Sequence, residues 1–463
     1  MVGFLVSAPL LIMYSLGYRF NPKKNKIQSI GALFLDAIPP DVQVKLNGKL
    51  VNKSMPLQLV DLLPGTYNVE ITKDGFFSWN KKLEVLSKQT TFADNIHLFE
   101  QNNPEQFINQ TINAFTYSPN NNYLVYSIIN DQWEELWALN LNNTEDKKLL
   151  YRLSQSSQET YTFSKDNIIW SPDNEKVLID LKNNQFIIDI KNPENITFIN
   201  DLSQKPLTQL RWDTRSANNI YGLNNIDIYS INLENLTIAQ VETLPHKKNY
   251  NYDYLIKNGF IYYFTVDKEN TMRFERISLN SGELARQYIL NLPQKNDYTI
   301  NNFTENYISI TSTSEQLSYL FKIDNEQITY QELPAHTIKW NTELNKILYF
   351  NDLELWSADL DKNQNFTKQY LITRNSNGIT DALWHTNSEH LIFATNKNIQ
   401  AIELDGRDTR NTAVIIDNAK IEYISQNPKS FNLYYKENQE KQSGIQTIKL
   451  NEEYNVIRRS LGL

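Results

Sequence analysis

From Pro104 onward, short runs of β-branched and aliphatic residues alternate with polar turns. The stretch Ile168–Ile190, IIWSPDNEKVLIDLKNNQFIIDI, shows the unit most plainly. Ile168 and Ile169 lead into Trp170, and Ser171-Pro172-Asp173-Asn174 then turns the chain, because proline fixes φ and the polar side chains bond nearby backbone. Val177, Leu178 and Ile179 begin a strand. Lys182-Asn183-Asn184 turns again, and Phe186, Ile187, Ile188 and Ile190 predict the next strand. One unit is a hairpin preceded by an aromatic.

The same order recurs in AFTYSPNNNYLVYS, LRWDTRSANNIYGL, IKWNTELNKILYFN and ALWHTNSEHLIFAT, with weaker copies near Tyr254, Phe303 and Tyr423. Taking Tyr117, Trp170, Trp212, Tyr254, Phe303, Trp340, Trp384 and Tyr423 as anchors, the spacing is about 40–50 residues, the period of a four-stranded propeller blade. A sheet of four short strands cannot bury both faces alone, so blades must stack, each anchor filling a gap between neighbours. Residues 104–463 therefore predict a β-propeller of eight blades, with seven as the runner-up because the copy at Tyr254 lacks proline and the last is irregular. Trp170-Ser171-Pro172-Asp173 and Tyr117-Ser118-Pro119 resemble the WD40-like repeat of TolB-type propellers. Trp212, Trp340 and Trp384 keep the aromatic and lose the proline.

At the other end, Val2–Tyr18 is an apolar run without charge, just short of the ~20 residues that span a bilayer. Arg19, Lys23, Lys24 and Lys26 follow it. With no basic segment before it and no small-residue cleavage site after it, the run predicts a transmembrane anchor over residues 1–20 rather than a signal peptide. Taken alone, the cations would hold the remainder in the cytoplasm. If a basic segment belongs upstream of Met1, the β-domains lie outside, and this is the preferred expectation.

Between these parts, residues 31–99 show period-two alternation and compact turns. Leu33 and Leu35 precede Val42, Val44 and Leu46; Asn47-Gly48 is a two-residue hairpin signal. Leu63-Pro64-Gly65 suits a type II turn, Tyr67, Val69 and Ile71 alternate, and Asp74-Gly75 turns before Phe76, Phe77 and Trp79. A small all-β sandwich follows from this pattern. GALFLDAIPP, VKLNGK, LLPGTYNVEI and KDGFFSW resemble the PEGA domain, although Pro40-Asp41-Val42-Gln43 stands where its namesake motif would. The resemblance implies a bacterial or archaeal envelope protein. The order of apolar helix, Gly17-Tyr18-Arg19-Phe20, sandwich and propeller is similar to a membrane-anchored arrangement with no established activity. Glu100–Pro104 reads as a short polar linker.

Composition removes several chemistries. The 463 residues carry Lys+Arg 45 against Asp+Glu 53, a formal charge of -8, so nucleic acid is a poor partner. There is no cysteine, and the chain has thirteen glycines without a phosphate-binding loop or a nucleophile elbow. His97, His246, His336, His385 and His390 have no metal-binding spacing, and the turn between His385 and His390 would leave both in solvent. Asp359, Asp361, Asn363 and Asn365 imitate the start of a calcium loop, but Gln364 and Tyr370 stand where glycine and glutamate belong. Neither metal nor cofactor is expected. Trp137, Trp356 and Tyr229 recur in the closing strands of their hairpins and read as packing between blades.

The remaining site candidate is a surface aromatic patch of Phe76, Phe77 and Trp79, three rings crowding one loop edge. The expectation is a non-enzymatic, membrane-anchored envelope protein, presenting two β-modules to a protein or a cell-wall glycan. Two alternatives stand beside it. One is an enzyme with a central-channel site to which Asp173 and Asp213 contribute; the other is a cytoplasmic-facing scaffold of a membrane complex.

Overall fold

A computed structural model of the protein describes residues 2–450 apart from 23–24, 131, 155–160, 183, 204, 245–252, 267–271, 279–286, 293–297, 305, 313, 324–327, 342–344, 418, 427–430 and 438–443. His246 lies outside the described residues. Apart from the first helix and two single turns, the described elements are strands. Contacts divide the chain into two compact units. One takes in Met1–Phe107, Asn377–Asn438 and the chain from Gln446; the other is built chiefly on Ile108–Ser376.

The second unit holds six four-stranded sheets, each an antiparallel meander in chain order. They span Ile112–Ser154, Ile168–Phe198, Thr208–Thr243, Tyr254–Leu292, Tyr298–Leu333 and Thr337–Arg374. The template hairpin falls where the pattern put it: Lys176–Leu181 pairs with Asn184–Asp189, Leu178 opposite Ile187. Buried side chains of consecutive sheets form common cores, such as Val125, Leu136, Ile179 and Phe186 between the first two. This is the stacking that a half-buried sheet demands. The anchors contribute as expected, since Trp212 Nε1 donates to Ile169 O at 3.2 Å and Tyr254 Oη donates to Gln209 O at 3.1 Å, each tying its sheet to the one before. Phe303 lies in Tyr298–Thr304, and its side chain is outside the described residues.

In the first unit, Ile379–Ile416 forms another such meander. A further sheet combines Ile421–Gln426, Asn432–Glu437 and Ile445–Lys449 with Glu105–Ile108 from the start of the repeat. Each of the eight anchors thus lies in the first strand of its sheet.

The sandwich also belongs to the first unit. Its sheets run Leu57–Leu62, Gly31–Ile38, Thr90–His97 and Lys49–Val51, Gln43–Leu46, Gly65–Thr72, Trp79–Val85. Alternate residues Leu33, Leu35 and Ala37 meet Val44, Val69, Ile71, Leu83 and Val85 in the core. The Asn47-Gly48 turn has φ of 49° and 78°, the left-handed pair that a two-residue hairpin needs. The expected type II turn is absent at Leu63-Pro64-Gly65: Gly65 is at φ 159°, not near +80°, because the strands on either side belong to different sheets and the chain crosses between them.

The anchor expectation needs correction. Only Val2–Ser15 is helical, 14 residues. At ~1.5 Å per residue this gives about 21 Å, against the ~30 Å of a hydrocarbon core. Among the described residues no helix is long and apolar enough to cross a membrane. Gly17, at φ 78°, ends the helix in the left-handed conformation, and Tyr18–Asn21 turns into a hairpin with Lys26–Ser29.

Candidate functional site

The strand Trp79–Val85 alternates buried and exposed, which puts Trp79, Lys81, Leu83 and Val85 on the inner parity. Trp79 is therefore not part of a surface patch. It is 3% exposed, and its Nε1 donates to Glu403 Oε2 at 2.8 Å. Phe76 and Phe77 are half-buried, Phe76 against the sandwich core and Phe77 against the core of the last two sheets. Three rings do crowd the loop, but each finds a different wall.

Lys81 is the unforeseen member. Its ammonium is buried, in contact with Glu403 Oε1, 3.2 Å from Asp405 Oδ2, and donating to Asp405 O at 2.9 Å. Glu403 also accepts from Asn411 N at 2.7 Å and Asn411 Nδ2 at 2.9 Å, so both of its oxygens are occupied. Burial alone would raise the Asp405 carboxyl, but the bonded Arg407 side chain and backbone N–H, with the Lys81 charge, hold it down at about 2.

The turn Asp405-Gly406-Arg407-Asp408 does more than end a strand. Trp79–Val85 is the edge of its sheet, and side-chain oxygens from this turn region meet its outward N–H groups: Asn80 N donates to Asn411 Oδ1 at 2.9 Å, and Lys82 N to Asp408 Oδ2 at 3.0 Å. Arg407 Nη1 donates to Phe92 O at 2.7 Å on the other sheet of the sandwich. An edge that would otherwise template pairing is thus clasped. Glu100–Pro104 does not simply separate two modules, since residues over 300 positions apart in sequence hold the sandwich to the Ile379–Ile416 sheet.

Beside the clasp, Phe99 is surrounded by three histidine rings. Its centroid lies 4.8 Å from His97, 5.3 Å from His385 and 5.3 Å from His390. The expectation that His385 and His390 stand in solvent is wrong: they are 1% and 4% exposed. The reason is visible in the repeat. Ser118 N donates to Tyr123 O, Ser171 N to Lys176 O and His385 N to His390 O, at 2.9, 3.0 and 3.0 Å, so His385 takes the place of the turn serine. The serines bond through Oγ, Lys176 N donating to Ser171 Oγ at 2.9 Å, and His385 Nδ1 instead accepts from Asn387 N at 3.3 Å. An accepting Nδ1 carries no proton, which fixes the neutral Nε2–H tautomer of His385. Burial, then the neighbouring His97, His385 and Lys81, lowers the His390 pKa well below its ordinary value. Phe77, Trp79, His97, Phe99, His390 and Asn411 line a small cleft here. Among the described residues no group of three or more His, Asp or Glu side chains could hold a metal ion.

The other candidates are held in turns. Asp173 Oδ1 accepts from Ser171 Oγ at 2.5 Å and from Glu175 N at 3.0 Å. Asp213 accepts from Arg215 N at 2.9 Å. Asp361 Oδ1 accepts from Asn363 N and Asn365 N, both at 2.8 Å, a local turn where the calcium-loop imitation stood. Trp137 and Trp356 share an arrangement that the sequence reading missed. Each donates Nε1 to a glutamate two residues earlier, Glu135 at 3.1 Å and Glu354 at 3.0 Å. An arginine on the next strand closes each set, Arg152 at 2.8 Å and Arg374 at 2.7 Å. The Glu-x-Trp spacing, repeated in EELW and LELW, was the available signal.

Residues 30–101 match the PEGA domain, which covers the sandwich and stops at the repeat. A search of curated proteins finds no match. Among solved structures the chain is similar to Saccharomyces cerevisiae Sqt1, with 10% identity over 75% of this chain and 98% of that one, at a TM-score of 0.45. It is similar to the Dos1 propeller, with 9% identity over 77% and 96% of the two chains, at a TM-score of 0.47. A structure of a eukaryotic initiation factor matches with 14% identity over 73% and 86%, at a TM-score of 0.44.

Proposed function

We propose that this protein is a non-enzymatic, membrane-associated binding platform that presents its PEGA-like sandwich and its repeat sheets to a protein partner outside the cytoplasm. The observation that carries the reading is the outer face of the three-stranded sandwich sheet. Phe34 and Phe92 lie opposite one another in parallel register with centroids 5.6 Å apart, and Phe92 is 54% exposed. Val60 on the neighbouring strand is 58% exposed. Exposed aromatic area of this kind suits a protein contact. In the clasp, by contrast, the polar groups satisfy one another and leave no acid or base turned towards a substrate.

The reading takes the eight sheets as eight propeller blades, supported by the strand Glu105–Ile108, which joins the last sheet to the start of the repeat. Membrane association rests on a helix that is apolar on every side and still exposed, with Leu11 at 67%, Ile12 at 58% and Leu16 at 64%. Such a helix dips into one leaflet rather than crossing two.

A photo-reactive phenylalanine analogue at position 92 of the full-length chain, in its native membranes, tests the platform. The expected adduct is a protein, formed at position 92 and not at a control position on the far side of the sandwich. An adduct cleaved by a glycan hydrolase would identify a cell-wall glycan instead, and no adduct would overturn the surface. Turnover of a peptide or glycoside that follows the purified chain would overturn the non-enzymatic part. Protease digestion of the β-domains in intact cells is the expected outcome for their location, and protection would reverse it.

A further inference from the structure

Upstream of Asp36 the chain carries Arg19, Lys23, Lys24 and Lys26 and no acidic residue, although the formal charge of the whole is -8. The cations fall on a two-stranded hairpin with an apolar face. Phe20 and Ile27 are directly opposite in the ladder Tyr18–Asn21 with Lys26–Ser29, and they are 59% and 48% exposed. Residues directly opposite share one face of the ribbon. Arg19 fixes the hairpin to what surrounds it: Nη1 donates to Tyr14 O at 2.7 Å at the end of the apolar helix, the guanidinium lies 3.5 Å from the Tyr14 ring centroid, and Nη2 bonds Asp61 Oδ1 of the sandwich at 3.1 Å.

Resting on the membrane-associated reading above, we propose that this hairpin selects anionic bilayers, Phe20 and Ile27 entering the interface while the neighbouring cations meet lipid phosphates. Aromatic and aliphatic side chains flanked by cations suit the boundary between hydrocarbon and headgroup, where each cation contributes about 1 kcal/mol on an anionic surface. Charge complementarity favours this occupant over a second copy of the chain, whose hairpin would bring like charges together.

Flotation of the full-length chain with vesicles of phosphatidylcholine alone, and of phosphatidylcholine mixed with phosphatidylglycerol, tests the proposal. Three lysines at ~1 kcal/mol each predict about a hundredfold tighter partitioning to the mixed vesicles. The triple substitution Lys23→Gln, Lys24→Gln, Lys26→Gln removes that preference and leaves binding to phosphatidylcholine. Phe20→Ser with Ile27→Ser weakens binding to both compositions by about tenfold or more. Equal binding of the unsubstituted chain to both vesicles overturns the hairpin's role and leaves the membrane reading standing. Binding to neither overturns both, and a detergent-stable dimer without lipid preference assigns the apolar surface to a second copy and also overturns the proposal.

Discussion

Replacing Glu403 by alanine removes the acceptor for Trp79 Nε1 and for Asn411 N, and takes one of two carboxylates from an ammonium whose side chain is 0% exposed. Leaving a buried charge without its partner costs about 3–5 kcal/mol. Asp405 still lies 3.2 Å from Lys81, so the lower end applies, about 3 kcal/mol. At ~1.4 kcal/mol per factor of ten, the clasp opens about a hundred times more often. The natural reporters are the Asn80 and Lys82 amides, whose acceptors are Asn411 and Asp408. Hydrogen exchange at these two positions should accelerate by that factor, while Ile187 in the other unit keeps its rate. Glu403→Gln, which keeps the shape without the charge, should fall between. Lys81→Met with Glu403→Leu should recover most of the protection, because no charge is left to desolvate. Unchanged exchange at Asn80 and Lys82 in a folded Glu403→Ala chain would refute the reasoning and reduce the clasp to an incidental contact.

Acid should loosen the same region. Burial holds the folded pKa of His390 well below 6.5, and the groups facing it are His97, His385 and Lys81, the last paired with Glu403 and Asp405. The unfolded chain therefore binds the extra proton first, so the stability is present above about pH 6.5 and is lost as pH falls below it. Asp405 adds a second loss, as pH falls from its ordinary 3.8 towards about 2. Calorimetric melting should show a falling midpoint for the first unit between about pH 7.5 and 5.5, with a shallower fall in His390→Gln. Ser171→Ala deletes a buried hydroxyl that accepts from Lys176 N and donates to Asp173; urea titration should show a loss of about 1–2 kcal/mol. Asp381→Ala deprives Ile424 N, 3.2 Å from Oδ2, and should destabilise the first unit by about 1–3 kcal/mol in the same assay.

The strands, their hairpins and their repeat were readable in the sequence because β-branched runs and turn residues are local signals. Val177–Ile179 and Phe186–Ile188 need no distant partner to announce themselves. The clasp was not readable, since Trp79 and Lys81 meet Glu403 across 324 and 322 positions and no short window holds both. One part of it was nonetheless on view: the alternation of Trp79, Leu83 and Val85 puts Lys81 on the buried parity, and a buried lysine needs an acid. The histidines misled because the turn Thr386–Glu389 is polar. Alignment of Trp384-His385 with Trp170-Ser171 would have placed His385 in the enclosed position of the turn serine. The helix was overestimated because an apolar run reports hydrophobicity and not where it stops. Gly17 stops it.

The strand Glu105–Ile108 has a consequence for biosynthesis. Its neighbour in the sheet, Ile445–Lys449, is the last described strand of the chain. A ribosome makes the first of these well before the second, so this strand waits through almost the entire synthesis of the repeat with its ladder unfilled. During that wait its exposed backbone is open to wrong partners. A stop codon anywhere before Ile445 would leave it waiting permanently, and truncations that spare every other sheet should still yield protein that cells clear or aggregate.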